Sequence, residues 1–193
     1  MQILQGGLIS ILIIVLGAQI FLRSFLAKHI KKIFWGGVGL IVAYNGYISW
    51  LQYTIWKNNP TTANLLPPHQ SIMYFLSYVG IHFWLPYGVS LLAAVIFISV
   101  FTFVNRAYEE RFLFAEEVWI GGMALFLVGY PDVIVYVPLF LVAFVGVSLS
   151  RMLFLKKAAR TSPYFLWIPV AVCVILASIW YLSALPWWNL LII

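Results

Sequence analysis

The sequence predicts an all-α integral membrane protein: a bundle of about six transmembrane helices, with an extra interfacial or broken helix before the third span. Three observations carry that expectation. Hydrophobic residues make up 64% of the 193-residue chain and charged residues 8%, more apolar surface than a soluble domain of this length can bury within itself. The apolar residues fall in runs of roughly 20, the length a helix needs to cross a hydrocarbon core of about 30 Å. Finally, six spans place segments 23–32, 105–117 and 151–162 on one side, and ten of the eleven Lys and Arg lie there, leaving only Lys57. By the positive-inside rule those segments are cytoplasmic, in a multi-pass protein of the inner or cytoplasmic membrane with both termini outside.

Taken in order, residues 3–22 form the first span. They are followed by Arg23, which, with the absence of a basic leading region and of an Ala-x-Ala site, reads as a retained helix and not a cleaved signal. A basic loop holding Arg23, Lys28, Lys31 and Lys32 leads into span two, residues 33–56, where Gly36, Gly37, Gly39, Ala43 and Gly46 offer small residues for close helix packing. Asn45 and Gln52 add amides that could bond to a neighbouring helix. Residues 57–70 are a polar, proline-punctuated loop. The uncharged stretch 71–105 would make a helix near 50 Å long, too much for one simple crossing, so a break is expected at Pro86 and Gly88. That leaves an aromatic-rich interfacial piece over 72–84 and span three over 87–104. Spans four and five, 118–130 and 133–150, form a helical hairpin about a Pro131-Asp132 turn, and span six covers 164–185 with Trp187 and Trp188 in an aromatic belt.

Few residues can carry chemistry. Glu109, Glu110, Glu116, Glu117 and Asp132 are the only acids, so any acid or base catalysis by a carboxylate draws on them. Glu116 and Glu117 stand at a helix start, where the dipole favours acids whatever their role, and adjacent residues on a helix do not face each other to share a proton. Glu109 or Glu110 could fold back toward them. Asp132 reads as a turn residue on the outer face. His29, His69 and His82 lack paired metal-ligand spacing, so no metal is expected, and no cofactor. Cys173 lies alone in an apolar run. The basic clusters make no continuous stripe, which argues against nucleic acid and for the lipid bilayer as the main partner.

From Glu116 onward the chain resembles the type IV prepilin (leader) peptidases, membrane-embedded aspartic peptidases. That family has a Gly-x-Gly-Asp motif at the cytoplasmic start of a helix, a small-residue-rich helix ending in Gly and an aromatic, a second helix, a basic loop, and an Ile-Pro-Phe-Gly-Pro-Phe segment opening the last span. The corresponding parts here are Phe114-Ala115-Glu116-Glu117, residues 118–130, residues 133–150, and Thr161-Ser162-Pro163-Tyr164-Phe165. An earlier Tyr-Asp-Leu-Arg type motif corresponds to Ile20-Phe21-Leu22-Arg23. The layout extends over residues 10–183, and the detailed match over about 50 residues. The resemblance implies catalytic positions at Glu117, with Glu116 beside it, and a missing first aspartate at Phe21. Aspartic proteolysis needs two carboxylates sharing a proton, so a chain with Phe at one position should be inactive or altered as an endopeptidase. It should bind pilin-like precursors at the cytoplasmic face. The alternative is a non-enzymatic transmembrane subunit of a larger respiratory or secretion complex, packing through the small residues of span two. A transporter is disfavoured, since no ionisable group falls at mid-membrane.

Overall fold

The computed structural model describes residues 2–108, 113–155, 162–189 and 191, and within them the chain is helical, with no strand. Helix α1 (Gln2–Phe21) is separated from α2 (Arg23–Asn58) by Leu22 alone. A single turn, α3 (Pro60–Ala63), follows, capped by the Asn59 side chain accepting from the Thr61 N–H. Then come α4 (Ile72–Val79), a π-helical turn (Gly80–Trp84) and α5 (Leu85–Ala107), which together make one 36-residue helical segment. Helices α6 (Ala115–Val128), α7 (Val133–Leu155) and α8 (Trp167–Trp180) complete the bundle, and a 3-10 turn (Leu182–Ala184) leads to α9 (Pro186–Asn189).

Three described helices are long and apolar enough to cross a membrane: Ile72–Ala107, Val133–Leu153 and Trp167–Ala184. In the most apolar windows of the first two, only 11% and 17% of residues are buried by the rest of the chain. Such apolar surface is stable only against something other than water, and contact with lipid supplies that.

Two expectations about boundaries change. Residues 23–32 are the opening turns of α2, so the basic residues read as a loop are carried on a 36-residue helix. The break expected at Pro86 is absent, because the helix continues through it and the irregularity lies one turn earlier, at Gly80–Trp84. Proline lacks an N–H and its ring collides with the carbonyl four residues back. The wider π turn just before it, in which the Leu85 N–H reaches back to the Gly80 carbonyl, is the kind of local adjustment by which a helix accommodates a proline.

Helix α6 lies at the centre. From Glu117 to Val128 all its residues but Trp119 are buried, and α1, α2, α5, α7 and α8 all pack against it. Named contacts give the directions. Lys31 and Phe34 meet Trp119, and Tyr44 and Asp132 both lie within electrostatic reach of Tyr87, so α2 runs parallel to α6. Ile98 meets Gly122 and Tyr87 meets Phe126, so α5 runs antiparallel. Glu117 bonds to Ser162 and Asp132 to Ser178, so α8 is parallel and α7 returns between them. Gln19 near the end of α1 bonds to Tyr164 just before α8. One end of the bundle therefore gathers the end of α1, the starts of α2, α6 and α8 and the ends of α5 and α7.

Close packing is not where the sequence suggested. A Cβ added at Gly36, Gly37, Gly39 or Gly46 would meet nothing within 4 Å. The inward stripe of α2 is instead Leu26, Ile30, Phe34, Val38, Ile41 and Asn45. A Cβ at Gly122 would lie 2.5 Å from the Ile98 side chain, and one at Gly121 would lie 2.9 Å from Phe97. These two glycines let α5 approach α6 closely.

We expect Gly122→Ala to destabilise the detergent-solubilised protein by about 1–3 kcal/mol through overpacking. Gly39→Ala, in open helix, should be neutral or stabilising by up to about 1 kcal/mol. Thermal unfolding of the two variants beside wild type checks both, and equal melting temperatures would contradict the packing described.

Candidate functional site

The gathered end of the bundle holds the only ion pair among the described residues, together with hydrogen bonds that join distant segments of the chain. The chain enters α6 through a clamp made by buried Asn105. Its amide nitrogen donates to the Leu113 carbonyl at 2.8 Å, and its oxygen accepts the Leu113 N–H at 3.2 Å. This fixes Phe114 as the N-cap. Glu117, three residues on, reaches back so that its Oε2 accepts the Phe114 N–H at 2.8 Å, the acidic half of a capping box. Its Oε1 accepts the Ser162 hydroxyl, and Ser162 Oγ in turn accepts the Tyr164 N–H at 3.2 Å. Glu117 is completely buried, and this set of donors is what a buried carboxylate requires.

Glu116 turns the other way. Its Oε1 lies 3.7 Å from Arg23 Nη2, and the Arg23 guanidinium carbon sits 4.9 Å from the centre of the Tyr164 ring. The two glutamates thus diverge, as neighbours on a helix must. Only Glu116 keeps a partly exposed side chain that a ligand can reach.

Phe21 is 83% exposed and directed away from this cluster. The α1 side chain that turns inward is Gln19, 1% exposed, whose Nε2 donates to the Tyr164 carbonyl at 2.9 Å. Its Oε1 and the Tyr164 hydroxyl are buried with no hydrogen-bond partner among the described residues. The sequence alone gives Gln19, Ser162 and Tyr164 no individual role, although the last two fall in the segment matched to the opening of the last span. Gln19 carried a usable signal, an amide four residues before Arg23 near the end of an apolar run; Ser162 carried none, since its role arises only when α8 lies beside α6. Glu109, Glu110, Arg111, Lys156, Lys157 and Arg160 lie outside the described residues. No cluster of three or more His, Cys, Asp or Glu that could hold a metal occurs among those described.

Asp132 marks the opposite end. It sits in the turn after Gly129, whose φ of +79° is a conformation that favours glycine. It is a turn residue, as expected, but it is buried and not solvated. Its Oδ1 accepts the Ser178 hydroxyl at 2.7 Å. Burial, only partly offset by the Ser178 bond, pushes its carboxyl from the ordinary 3.8 up to about 6.

Fold and site together define a helical protein built for contact with a membrane, with a polar cluster at one end of its bundle. Comparison with family models, with curated proteins and with solved structures finds no match to this chain.

Because the folded-state pKa of Asp132 lies above its unfolded value, its contribution is most favourable below pH 4 and is lost as pH rises to about 6. The loss at neutral pH is on the order of 2–3 kcal/mol. We expect Asp132→Asn, which keeps an acceptor for Ser178, to gain stability relative to wild type as pH rises from 4 to 7. Parallel melting curves for the two proteins across that range would contradict the burial described.

Proposed function

We propose that this chain is a six-span membrane protein with the layout of a prepilin peptidase but without its pair of acids. On this reading it binds the basic leader and apolar stem of a pilin-like precursor at the cytoplasmic face without cleaving it efficiently. The observation that carries the reading is the convergence of three separate segments: the end of α1, the start of α6 and the segment opening α8. They are joined by Arg23 to Glu116, Gln19 to Tyr164 and Ser162 to Glu117. These are the segments that the resemblance requires to meet. Their alternating directions support six crossings, with α1, α2 and α6 crossing in company with the three more apolar helices. Arg23, Lys28, Lys31, Lys32, Arg106 and Arg151 then share the end that holds Glu116, which favours a cytoplasmic assignment for it.

Chemistry supports binding over cleavage. A proton-sharing pair needs two carboxylates in contact, whereas Glu117 is met by a serine hydroxyl and a backbone N–H, and α1 contributes an amide. A hollow of about 190 Å³ lined by Phe34, Trp35, Ile98 and Trp119 begins two residues beyond Glu117 and has room for one apolar side chain.

The second reading, a non-enzymatic subunit of a larger complex, is favoured by one observation: the open Gly36, Gly37, Gly39 and Gly46 on α2 leave space for a partner's helix. Purification in mild detergent separates the two, since a stoichiometric membrane partner that is lost on Gly39→Leu supports the subunit.

For the leading reading we expect the purified protein to retain a pilin-like precursor in detergent and leave it uncut over hours. Cleavage that persists in Glu117→Ala would remove the site assignment, and failure to retain any precursor would remove the reading itself.

A further inference from the structure

Arg23 relates to its surroundings as a guest does to a host. Its side chain is 56% exposed while that of Glu116 is 20% exposed. The 3.7 Å separation exceeds a well-formed hydrogen bond, so the contact is a loose ion pair of the kind that contributes little at a surface. The ring 4.9 Å away adds a cation–π attraction.

The host, by contrast, is held without Arg23. Tyr164 is fixed by its carbonyl accepting from Gln19, by its N–H donating to Ser162 and by an edge contact with Phe165. Glu116 stands in the first turn of α6, where the helix dipole favours an acid. The Tyr164 hydroxyl, buried without a partner among the described residues, leaves a donor unused on the ring that Arg23 overlies. A second hydrogen-bonding group of an incoming molecule, such as a peptide carbonyl, would satisfy it.

We infer that Glu116 and the Tyr164 ring form a cation subsite which Arg23 occupies, and that a Lys or Arg side chain of a basic peptide binds by displacing it. Arg23 is then a built-in competitor that sets a threshold for ligand binding. The inference rests on the precursor-binding reading and names the contact through which the basic leader would be held. A lipid phosphate is the less suitable guest, because Glu116 would repel it.

The test uses the full chain in nanodiscs of zwitterionic lipid and a fluorescent peptide carrying a Lys- and Arg-rich leader before an apolar stem, with anisotropy as readout. We expect Arg23→Gln to bind about twofold to fivefold more tightly than wild type, the advantage of removing a weak internal ion pair. Arg23→Lys should stay near wild type, and Glu116→Gln should bind about fivefold or more weakly. A peptide whose leader cations are replaced by Gln should not distinguish Arg23→Gln from wild type. If wild type binds and properly folded Arg23→Gln binds equally or less well, Arg23 is a structural tie and the inference falls while the binding reading stands. Should the affinity gain appear only with anionic lipid present, Arg23 belongs to headgroups and the inference also falls. Absence of binding by wild type and every variant removes both.

Discussion

The bundle depends on one constraint, the near-complete burial of a helix only 14 residues long. At about 1.5 Å per residue α6 reaches roughly 21 Å, less than a hydrocarbon core. Along that length α6 is surrounded by protein and offers almost no surface to anything else. Being apolar on every side, it can be wrapped on every side. Gly121 and Gly122 bring α5 against it, and the Ile30, Phe34 and Val38 stripe of α2 covers another flank.

Burial moves the polar problem to the ends of the helix. Unpaired N–H groups at a helix start and a chain reversal at its finish must be satisfied where water is scarce. Both ends use the same device, a carboxylate bonded to a serine: Glu117 to Ser162 and Asp132 to Ser178. Because the two serines flank α8 as the two acids flank α6, the ties hold these helices parallel and in register. The two ends differ in what surrounds the acid. Glu117 adds a backbone N–H as a second donor, while Asp132 has Ser178 alone as a hydrogen-bonding side chain, and burial raises its carboxyl.

The membrane character and the helical elements were legible because they depend on composition and run length. So was the divergence of Glu116 and Glu117, which follows from helix geometry at adjacent positions. What could not be read was facing. Span two showed its glycines, but Gly36, Gly37, Gly39 and Gly46 lie off the inward stripe, whereas Gly121 and Gly122 point at α5. Both sets look alike in a sequence, since only the partner helix distinguishes packing from open space. A proline in a regular helix predicts a break at Pro86; the π turn that precedes it and lets the helix continue has no sequence marker. A turn at Asp132 is readable from Tyr-Pro-Asp, but its burial and its bond to Ser178, 46 positions away, arise only in the folded bundle. Gln19 and Phe21 differ by two positions on α1, which places them on opposite sides of the helix.

That difference bears on chemistry more than the identity of any one residue. A pair of acids works because a proton can move between them, leaving one group neutral and the other charged at each stage. The inward group of α1 here is an amide, which donates and accepts hydrogen bonds but neither gains nor loses a proton near neutral pH. It already spends its donor on the Tyr164 carbonyl. Glu117 is engaged by Ser162 and Phe114, so its lone pairs are directed into the fold and away from a substrate. The arrangement has the character of a framework: fixed donors, fixed acceptors and one partly exposed acid, Glu116, whose present partner is the exposed Arg23. A framework of this kind can recognise charge and hold an extended segment, whereas bond cleavage would require a second titrating group facing Glu117.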